Sequence, residues 1–378
     1  MPEHEFLLAP DIIHLNHAAV APWPRRTRDA VVAFAKENAR QGSRDYARWL
    51  ATEQALREQF RRLLNAPSAD DIALVKNTSE GLSLVAHGLD WKAGDNIVSS
   101  NEEFPSNRIV WESLAPLGVS LRQVDLQAAE RPEQALMQAV DRNTRLLAIS
   151  SVQYGSGLRL DLDVLGEFCR QRSILFCVDA IQSLGALPFD VQAHGADFVA
   201  ADGHKWLLGP EGLAVFYVRS ELRQRLRLHQ YGWHMVEACG DFDRREWTPA
   251  HSARRFEPGS PNMLGIVALH ASLSLLLEVG MQQVSEQIAR RVDVLLERIS
   301  DHPRLSLCAQ RPRQRFAGIV SFRHVDMTAE SLQQKLAQRG VLCAVRNRAL
   351  RFSPHYYTPL EHLDQALNLI DEIVGTAA

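Results

Sequence analysis

Residues 201–210 read ADGHKWLLGP, and they place one lysine, Lys205, at a sharp break after the apolar run Phe198–Ala201. Upstream, the run Ile174–Ile181 predicts a buried strand that carries an acid, Asp179, near its end. An amine and a carboxylate at the carboxyl ends of two buried strands suit pyridoxal 5′-phosphate (PLP). The lysine would form a Schiff base with this cofactor, and the acid would partner its ring nitrogen.

The composition favours an ordinary globular protein. The chain has 378 residues, a net charge of −3 and 46% hydrophobic residues, so nothing indicates nucleic acid or a membrane as a partner. Its five cysteines include no C-x-x-C pair, which favours a reducing compartment and predicts no metal site. The sequence begins without the pattern of a signal peptide, and we expect a cytoplasmic protein.

Apolar runs alternate with helical patterns through the first two thirds of the chain. The predicted strands are continuous rather than alternating, which indicates a mostly parallel sheet covered on both faces: 72–75, 96–100, 145–152, 174–181 and 198–201. After residue 258 two long helical stretches and shorter elements follow. The sequence therefore predicts an α/β large domain at 16–258. It also predicts a smaller α+β domain that is formed by residues 259–378 together with residues 1–15.

Several polar or aromatic residues follow the predicted strands, where open α/β sheets bind ligands. Thr78 and Ser79 lie at the start of a predicted helix, so they form either a phosphate-binding site or a plain N-cap. Phe104 suits either stacking on a flat ring or the core. Asp179 and Gln182 suit either a cofactor site or the cap of a following turn. Their joint occurrence is more specific than any one of them.

Two further stretches, LNHAA at 15–19 and LRFSPH at 350–355, complete a resemblance that spans almost the whole chain. The chain resembles the fold-type I PLP enzymes of the class V aminotransferase family, near the cysteine desulfurases and isopenicillin-N-epimerase-like proteins. That resemblance implies a large domain with a mostly parallel seven-stranded sheet. It also implies roles for individual residues: Lys205 as the Schiff-base lysine, Asp179 at the ring nitrogen, Gln182 at the ring hydroxyl, Phe104 over the ring, and Thr78, Ser79 and His204 at the phosphate.

The resemblance also implies a homodimer that acts on an amino acid. Residues 256–262, FEPGSPN, are similar to the segment with which the family reaches the partner's cofactor phosphate, which assigns this role to Gly259 and Ser260. Arg351 matches the arginine that binds the substrate α-carboxylate, as a bidentate and permanently charged group should. Tyr154 stands in place of the family's asparagine, where it either shapes the substrate side of the pocket or serves only in packing.

The chain departs from the desulfurase pattern in two more ways. Desulfurases carry a nucleophilic cysteine on a loop before the carboxylate-binding arginine, but here residues 346–350 run directly into Arg351. Cys343 is nearby, within an apolar run that indicates a buried structural thiol. Asp202 replaces a phosphate-binding serine, and since a carboxylate repels phosphate, we expect it to face a backbone amide.

These features predict a PLP-dependent transferase, with transamination as the first expectation. Epimerisation, C–S or C–C lyase chemistry, and desulfuration through Cys343 are the alternatives within the same fold. A PLP-binding protein without turnover is the alternative from another class. The sequence contains neither G-x-G-x-x-G nor G-x-S-x-G, which argues against a dinucleotide enzyme and a serine hydrolase.

Overall fold

The computed structural model describes residues 3–309 and 311–375. Its strands are β1 Ile13–His14, β2 Ile72–Val75, β3 Asn96–Ser100, β4 Ser120–Val124, β5 Thr144–Ser150, β6 Leu175–Asp179, β7 Phe198–Asp202, β8 Ala214–Val218, β9 Leu305–Leu307, β10 Val320–His324, β11 Val341–Leu342, β12 Ala344–Arg346 and β13 Ala349–Phe352. Its α-helices are α1 Arg25–Gln41, α2 Tyr46–Leu64, α3 Thr78–Gly88, α4 Ser106–Glu112, α5 Pro132–Ala139, α6 Leu162–Arg172, α7 Ser220–Arg223, α8 Met263–Val279, α9 Met281–Ser300, α10 Ala329–Ala337 and α11 Leu360–Gly375.

The central sheet has seven strands in the order β2-β8-β7-β6-β5-β3-β4. Its pairs are parallel except those of β8, which runs antiparallel to β2 and β7. Every residue of β2, β3, β7 and β8 is buried, because helices cover both faces of the sheet. The seven-stranded, mostly parallel sheet predicted from the sequence is confirmed.

The register of the parallel strands brings the predicted site residues to one edge. Ser150, the last residue of β5, pairs with Asp179, the last residue of β6. Asp179 in turn pairs with Ala200 on β7, two residues before the strand ends at Asp202. The turn that carries Lys205 therefore leaves the sheet beside Asp179, at the carboxyl edge where such folds bind ligands.

A second, antiparallel sheet has the order β12-β13-β10-β9, and β1 pairs with β11 in a separate parallel pair. Helix α8, which follows residue 258, packs against α1 and α2. Segments from before and after residue 258 therefore pack against each other, β1 with β11 and α1 and α2 with α8. The domain division at residue 258 stays a prediction. Among the described residues, no single helix is long and apolar enough to span a membrane, although α8 and α9 together pass that test across an 83° bend.

Two buried histidines, His17 and His355, and the half-buried His14 lie where the N-terminal segment meets the turn before α11. His17 donates from Nδ1 to the Ser353 carbonyl (2.9 Å), and its Nε2 accepts from the Tyr357 hydroxyl (2.6 Å). His355 donates from Nε2 to the Trp206 carbonyl (3.1 Å). The His14 ring lies 4.6 Å from that of His17. Because each bonded ring has one nitrogen donating and the other accepting, this arrangement holds the imidazoles neutral.

This histidine cluster predicts a loss of stability in mild acid. Burial lowers the pKa of His14 to about 4 and that of His355 to about 3. Since the unfolded chain binds these protons near its ordinary pKa of about 6.5, it gains more protons than the folded chain below that pH. We expect the free energy of unfolding to fall by about 1.4 kcal/mol per histidine for each pH unit between about 6.5 and 4. Denaturant titrations at pH 7 and pH 5 should show this fall, and equal stabilities would contradict it.

Candidate active site

Lys205 lies in the turn after β7 and is buried. Burial lowers the pKa of its amine to about 8, against the attraction of Asp179. Its Nζ lies 5.6 Å from the centroid of the Phe104 ring. Phe104 is 40% exposed, so it is not a core residue and its face is open to a flat ligand. An amine with a depressed pKa beside an accessible aromatic ring suits a carbonyl-bearing aromatic cofactor.

The turn that holds Lys205 is fixed by its own backbone and by Trp206. Leu208 has a φ of +61°, a left-handed conformation unusual for a leucine, and its N–H donates to the Lys205 carbonyl at 3.1 Å. Trp206 is fully buried, and a Cβ on Gly185 or Gly318 would collide with it. The glycines therefore permit a close packing that presents the lysine at one place.

Asp179 is buried at the end of β6, where one carboxylate oxygen accepts the N–H of Ile181 at 3.0 Å. Burial raises its pKa to about 7, because the charged form has lost water, and a cationic N–H partner would favour ionisation. Gln182, predicted to bind the ring hydroxyl, donates to the Ala18 carbonyl and accepts from the Trp206 indole, both at 3.0 Å. Its predicted role therefore depends on the remaining amide N–H and stays a prediction.

The residues predicted to bind phosphate meet at the N-terminus of α3. The side chain of Asn77 caps the helix at 2.9 Å from Glu80 N, so neither Thr78 nor Ser79 is the cap. The Ser79 hydroxyl donates to Ser106 at 2.8 Å. Asp202 accepts the backbone N–H of Thr78 at 3.2 Å, so it faces a backbone amide, as expected, but at the end of α3 to which phosphate binding is assigned. Since Asp202 takes the N–H of Thr78 and Asn77 takes that of Glu80, an anion at this helix N-terminus would bind the N–H of Ser79 and the nearby hydroxyls.

Glu103 is a site residue to which sequence reasoning gave no role. It is buried directly before Phe104, and its carboxylate accepts bonds from Ser150 N (3.0 Å), Gln153 (2.8 Å) and Asn107 (2.7 Å). It also helps to raise the pKa of Asp179, after burial, because the two acids repel each other. Glu103 thus fastens the loop that presents Phe104. Its only sequence signal is an acid directly after a buried strand.

Arg351 is 1% exposed, and only one of its nitrogens has a partner in the described chain. Nη1 donates to the backbone carbonyl of Tyr154 at 2.8 Å, while Nε and Nη2 are buried without hydrogen bonds. Burial, and then the charge of Arg346, lowers its pKa to about 9. The Tyr154 ring packs edge-on against Phe104, with centroids 5.2 Å apart. A buried guanidinium with two unpaired nitrogens is a receptor for a carboxylate.

Replacing Arg351 should weaken the binding of the amino acid while it raises the stability of the ligand-free protein. Arg351→Met removes the proposed carboxylate partner, an effect of about 2–5 kcal/mol that corresponds to about a 30-fold or greater weakening of amino-acid binding. The same change removes a buried charge without an anionic partner, so the ligand-free protein should unfold at higher denaturant. Arg348→Met, at the exposed hairpin turn, is the matched control. Unchanged affinity in a folded Arg351→Met protein would contradict this assignment.

Gly259 and Ser260 do not join the Lys205 cluster within this chain. Both are exposed, and a Cβ on Gly259 would meet no atom within 4 Å. The segment is held from behind by Glu257, which is buried and accepts the backbone N–H of Leu74 at 2.9 Å and both terminal nitrogens of Arg57. A rigidly anchored segment that faces outward is consistent with the predicted contact to a partner subunit, which stays a prediction.

Cys343 is poorly suited to act as a thiol nucleophile. Cys343 is buried between β11 and β12, and burial raises the pKa of its thiol to about 12. Strands β12 and β13 are joined by Asn347 and Arg348 alone, both with positive φ, as a two-residue hairpin requires. The loop that would carry a desulfurase cysteine is therefore absent from this described hairpin.

The residues present fit PLP. Three buried polar atoms of the predicted site residues have no hydrogen-bond partner: Thr78 Oγ1, Arg351 Nε and Arg351 Nη2. Because buried polar atoms are normally paired, such atoms indicate a site for a polar ligand. The carboxylate of Asp179, the amine of Lys205 and the face of Phe104 match the ring nitrogen, aldehyde and ring of PLP.

Comparisons with known proteins agree with this geometry. A profile of the family described as Aminotransferase class-V matches residues 13–348. A probable cysteine desulfurase of Methanothermobacter thermautotrophicus is 30% identical over 97% of this chain and 95% of its own length. Two structures of C-DES superpose closely. A lysine-to-alanine variant with glycine covalently linked to its PLP cofactor has a TM-score of 0.91, 22% identity, and coverage of 98% and 99% of the two chains.

The second C-DES structure is the complex of that cystine C–S lyase with its reaction product, cysteine persulfide. It has a TM-score of 0.89, 23% identity, and coverage of 96% of this chain and 98% of its own. At these identities the two structures establish the fold, which is that of the fold-type I PLP enzymes. The profile and the archaeal relative establish the family. The chain is a member of the class V aminotransferase family and uses PLP, as its sequence predicted.

Proposed function

We propose that this protein is a cytoplasmic, homodimeric aminotransferase that acts on a small α-amino acid. One observation carries the proposal: Arg351 presents two unpaired buried nitrogens at the same site as the amine of Lys205. Because the pKa of this amine is lowered to about 8, part of it is unprotonated and can accept a proton. Bound PLP supplies an electron sink for the charge that develops at the α-carbon. The protein's part is to bind the carboxylate, orient the substrate and move one proton.

The side chains divide this work. Arg351 binds the α-carboxylate, and Tyr154 fixes the guanidinium through its backbone carbonyl. Lys205 would accept the α-proton and could return it for transamination. Asp179 would hold the ring nitrogen of the cofactor, and Phe104 would pack against its ring. Transamination requires no group beyond this proton-carrying amine, and burial, which raises the pKa of the Cys343 thiol, makes that thiol a poor acceptor of sulfur.

C–S lyase chemistry is the second candidate. The archaeal relative is named a probable cysteine desulfurase, and C-DES is named a cystine C–S lyase. A site that lacks a cysteine nucleophile but retains Lys205 and Arg351 can still remove the α-proton of a cysteine derivative. A good sulfur leaving group would then depart without help from a protein acid.

Visible spectroscopy separates the two reactions. The purified protein with PLP is titrated with a panel of amino acids, L-cysteine and L-cystine among them, without a keto acid. A lasting loss of the visible band that a keto acid restores supports the aminotransferase. A perturbed band that returns as the amino acid is consumed, with release of sulfide or persulfide, supports the lyase. No spectral change with any amino acid would refute both proposals.

The homodimer is supported by the outward position of Ser260 and by exposed aromatic side chains on the segment just before it. Those side chains are Tyr231, Trp233, Phe242 and Trp247. Contiguous exposed apolar surface of this kind is typical of a protein–protein contact. Five free thiols are in keeping with the reducing environment of the cytoplasm.

Subunit mixing tests the dimer and the role of Ser260 together. Lys205→Ala and Ser260→Asp chains should each be inactive, the second because a carboxylate would repel the partner's cofactor phosphate. Random mixing then creates one intact site in half of the dimers, which restores about a quarter of wild-type activity. If mass measurement of the intact dimers shows that mixed dimers have formed and activity still does not recover, the contact across the interface is refuted.

A further inference from the structure

The residues expected to bind the cofactor phosphate, Thr78, Ser79 and His204, form a region that we call the phosphate cup. This cup contains a carboxylate. Asp202 is the last residue of β7 and is 7% exposed. Its Oδ2 accepts the backbone N–H of Thr78, the first residue of α3, at 3.2 Å. Its Oδ1 lies 3.3 Å from Nδ1 of His204. Asp202 therefore touches two of the three residues to which phosphate binding is assigned.

In this position Asp202 opposes the binding of a phosphate in two ways. The N-terminus of a helix attracts an anion through its free N–H groups, and Asp202 already occupies the first of them. Its charge also lies within a partly buried cup, where repulsion between like charges is screened far less than in water. The cup still has a donor to offer, because the hydroxyl of Thr78 is buried without a hydrogen bond, whereas Nδ1 of His204 already faces the carboxylate of Asp202.

We propose that Asp202 is a specificity-determining residue that reduces the contribution of the cofactor's phosphate to binding. The site then holds PLP mainly through its ring contacts at Asp179 and Phe104 and through the bond to Lys205. PLP should consequently exchange between bound and free forms more readily than it would with a neutral residue at this position. This inference concerns the cofactor alone and does not depend on which reaction the enzyme performs.

The test compares PLP with pyridoxal, which has the ring but no phosphate. Dissociation constants are measured on the apoprotein by quenching of tryptophan fluorescence, without any amino acid present. Asp202→Asn keeps an oxygen that accepts the Thr78 N–H and removes only the charge. We expect it to tighten PLP at least about tenfold while the affinity for pyridoxal stays the same. Asp202→Ser should do likewise and covers the case in which the asparagine variant fails to fold.

Asp197→Asn is the matched control, since it removes a buried acid from the opposite end of the same strand. Asp197 accepts the N–H of Phe176 at 2.9 Å and pairs with Arg219, away from the cup. We expect no change in either affinity. Inorganic phosphate should also stabilise the Asp202→Asn apoprotein against heat more than it stabilises the wild type. Unchanged or weaker PLP binding in Asp202→Asn would reduce Asp202 to a simple helix cap and overturn the proposal.

Discussion

Lys205→Ala should abolish turnover, with a loss of about 10³-fold or more, because the same amine anchors the cofactor and carries the proton. The variant should also lose the visible absorption band of the lysine-bound cofactor. PLP should still bind, since Asp179, Phe104 and the N-terminus of α3 are untouched. The measurement is turnover of the amino acid that the spectral titration identifies.

Lys92→Ala is the control for this experiment, since Lys92 is an exposed lysine in the turn before β3 and should leave activity unchanged. Added methylamine provides a second check, because a small amine can partly replace a missing lysine base. A Lys205→Ala protein with wild-type activity would remove the lysine from the mechanism and refute the proposed function. A folded variant without activity but with retained PLP would support the division of work among the side chains.

The second large effect is on stability, at the buried ion pair that anchors the Ser260 segment. Arg57 donates to both oxygens of Glu257, to the carbonyl of Ile72 at 3.0 Å and to Glu53. The two carboxylates and the guanidinium are at most 7% exposed. Arg57→Met leaves both carboxylates buried without their cation, and we expect a loss of about 3–5 kcal/mol in the free energy of unfolding.

Arg61→Met provides the matched control one turn further along α2. Arg61 pairs with Glu58 at the surface, where solvent screens the pair, so its loss should leave the free energy of unfolding nearly unchanged. Urea denaturation of both variants is the measurement, and a loss below about 1 kcal/mol for Arg57→Met would contradict the assignment. Glu53, His234 and Glu257 have ligand atoms within 4.8 Å of one another, but Arg57 already pairs with both carboxylates, so we interpret the cluster as an ion-pair network.

The strands and the main catalytic groups could be predicted because their signals are local. The apolar runs that form β2, β3, β5, β6 and β7 are continuous in sequence, and chemically distinctive residues follow them directly. Lys205 and Asp179 needed only the rule that parallel strands end at one edge of the sheet. The family resemblance added Arg351, whose burial and unpaired nitrogens the structure then revealed.

Other features depend on contacts between distant parts of the chain. Asp202 meets Thr78 across 124 residues, Arg57 meets Glu257 across 200, and His17 meets Ser353 across 336. The role of Glu103 depends on Ser150 and Gln153, on the neighbouring strand and its following loop. No local pattern predicts these pairs, because any acid beside a strand has many possible partners until the chain is folded.

The amino-acid sequence therefore predicted the fold and the cofactor, and it gave the candidates for the reactive lysine, Lys205, and its acid, Asp179. These follow from apolar periodicity and from residue types whose chemistry is strongly constrained. Only the tertiary structure decided which buried groups are paired and which are left unpaired for a ligand. Desolvation and hydrogen bonding act over a few ångströms in space, so the shifted pKa values of Lys205 and Asp179, the unpaired guanidinium of Arg351 and the carboxylate in the phosphate cup arise only when distant segments pack together.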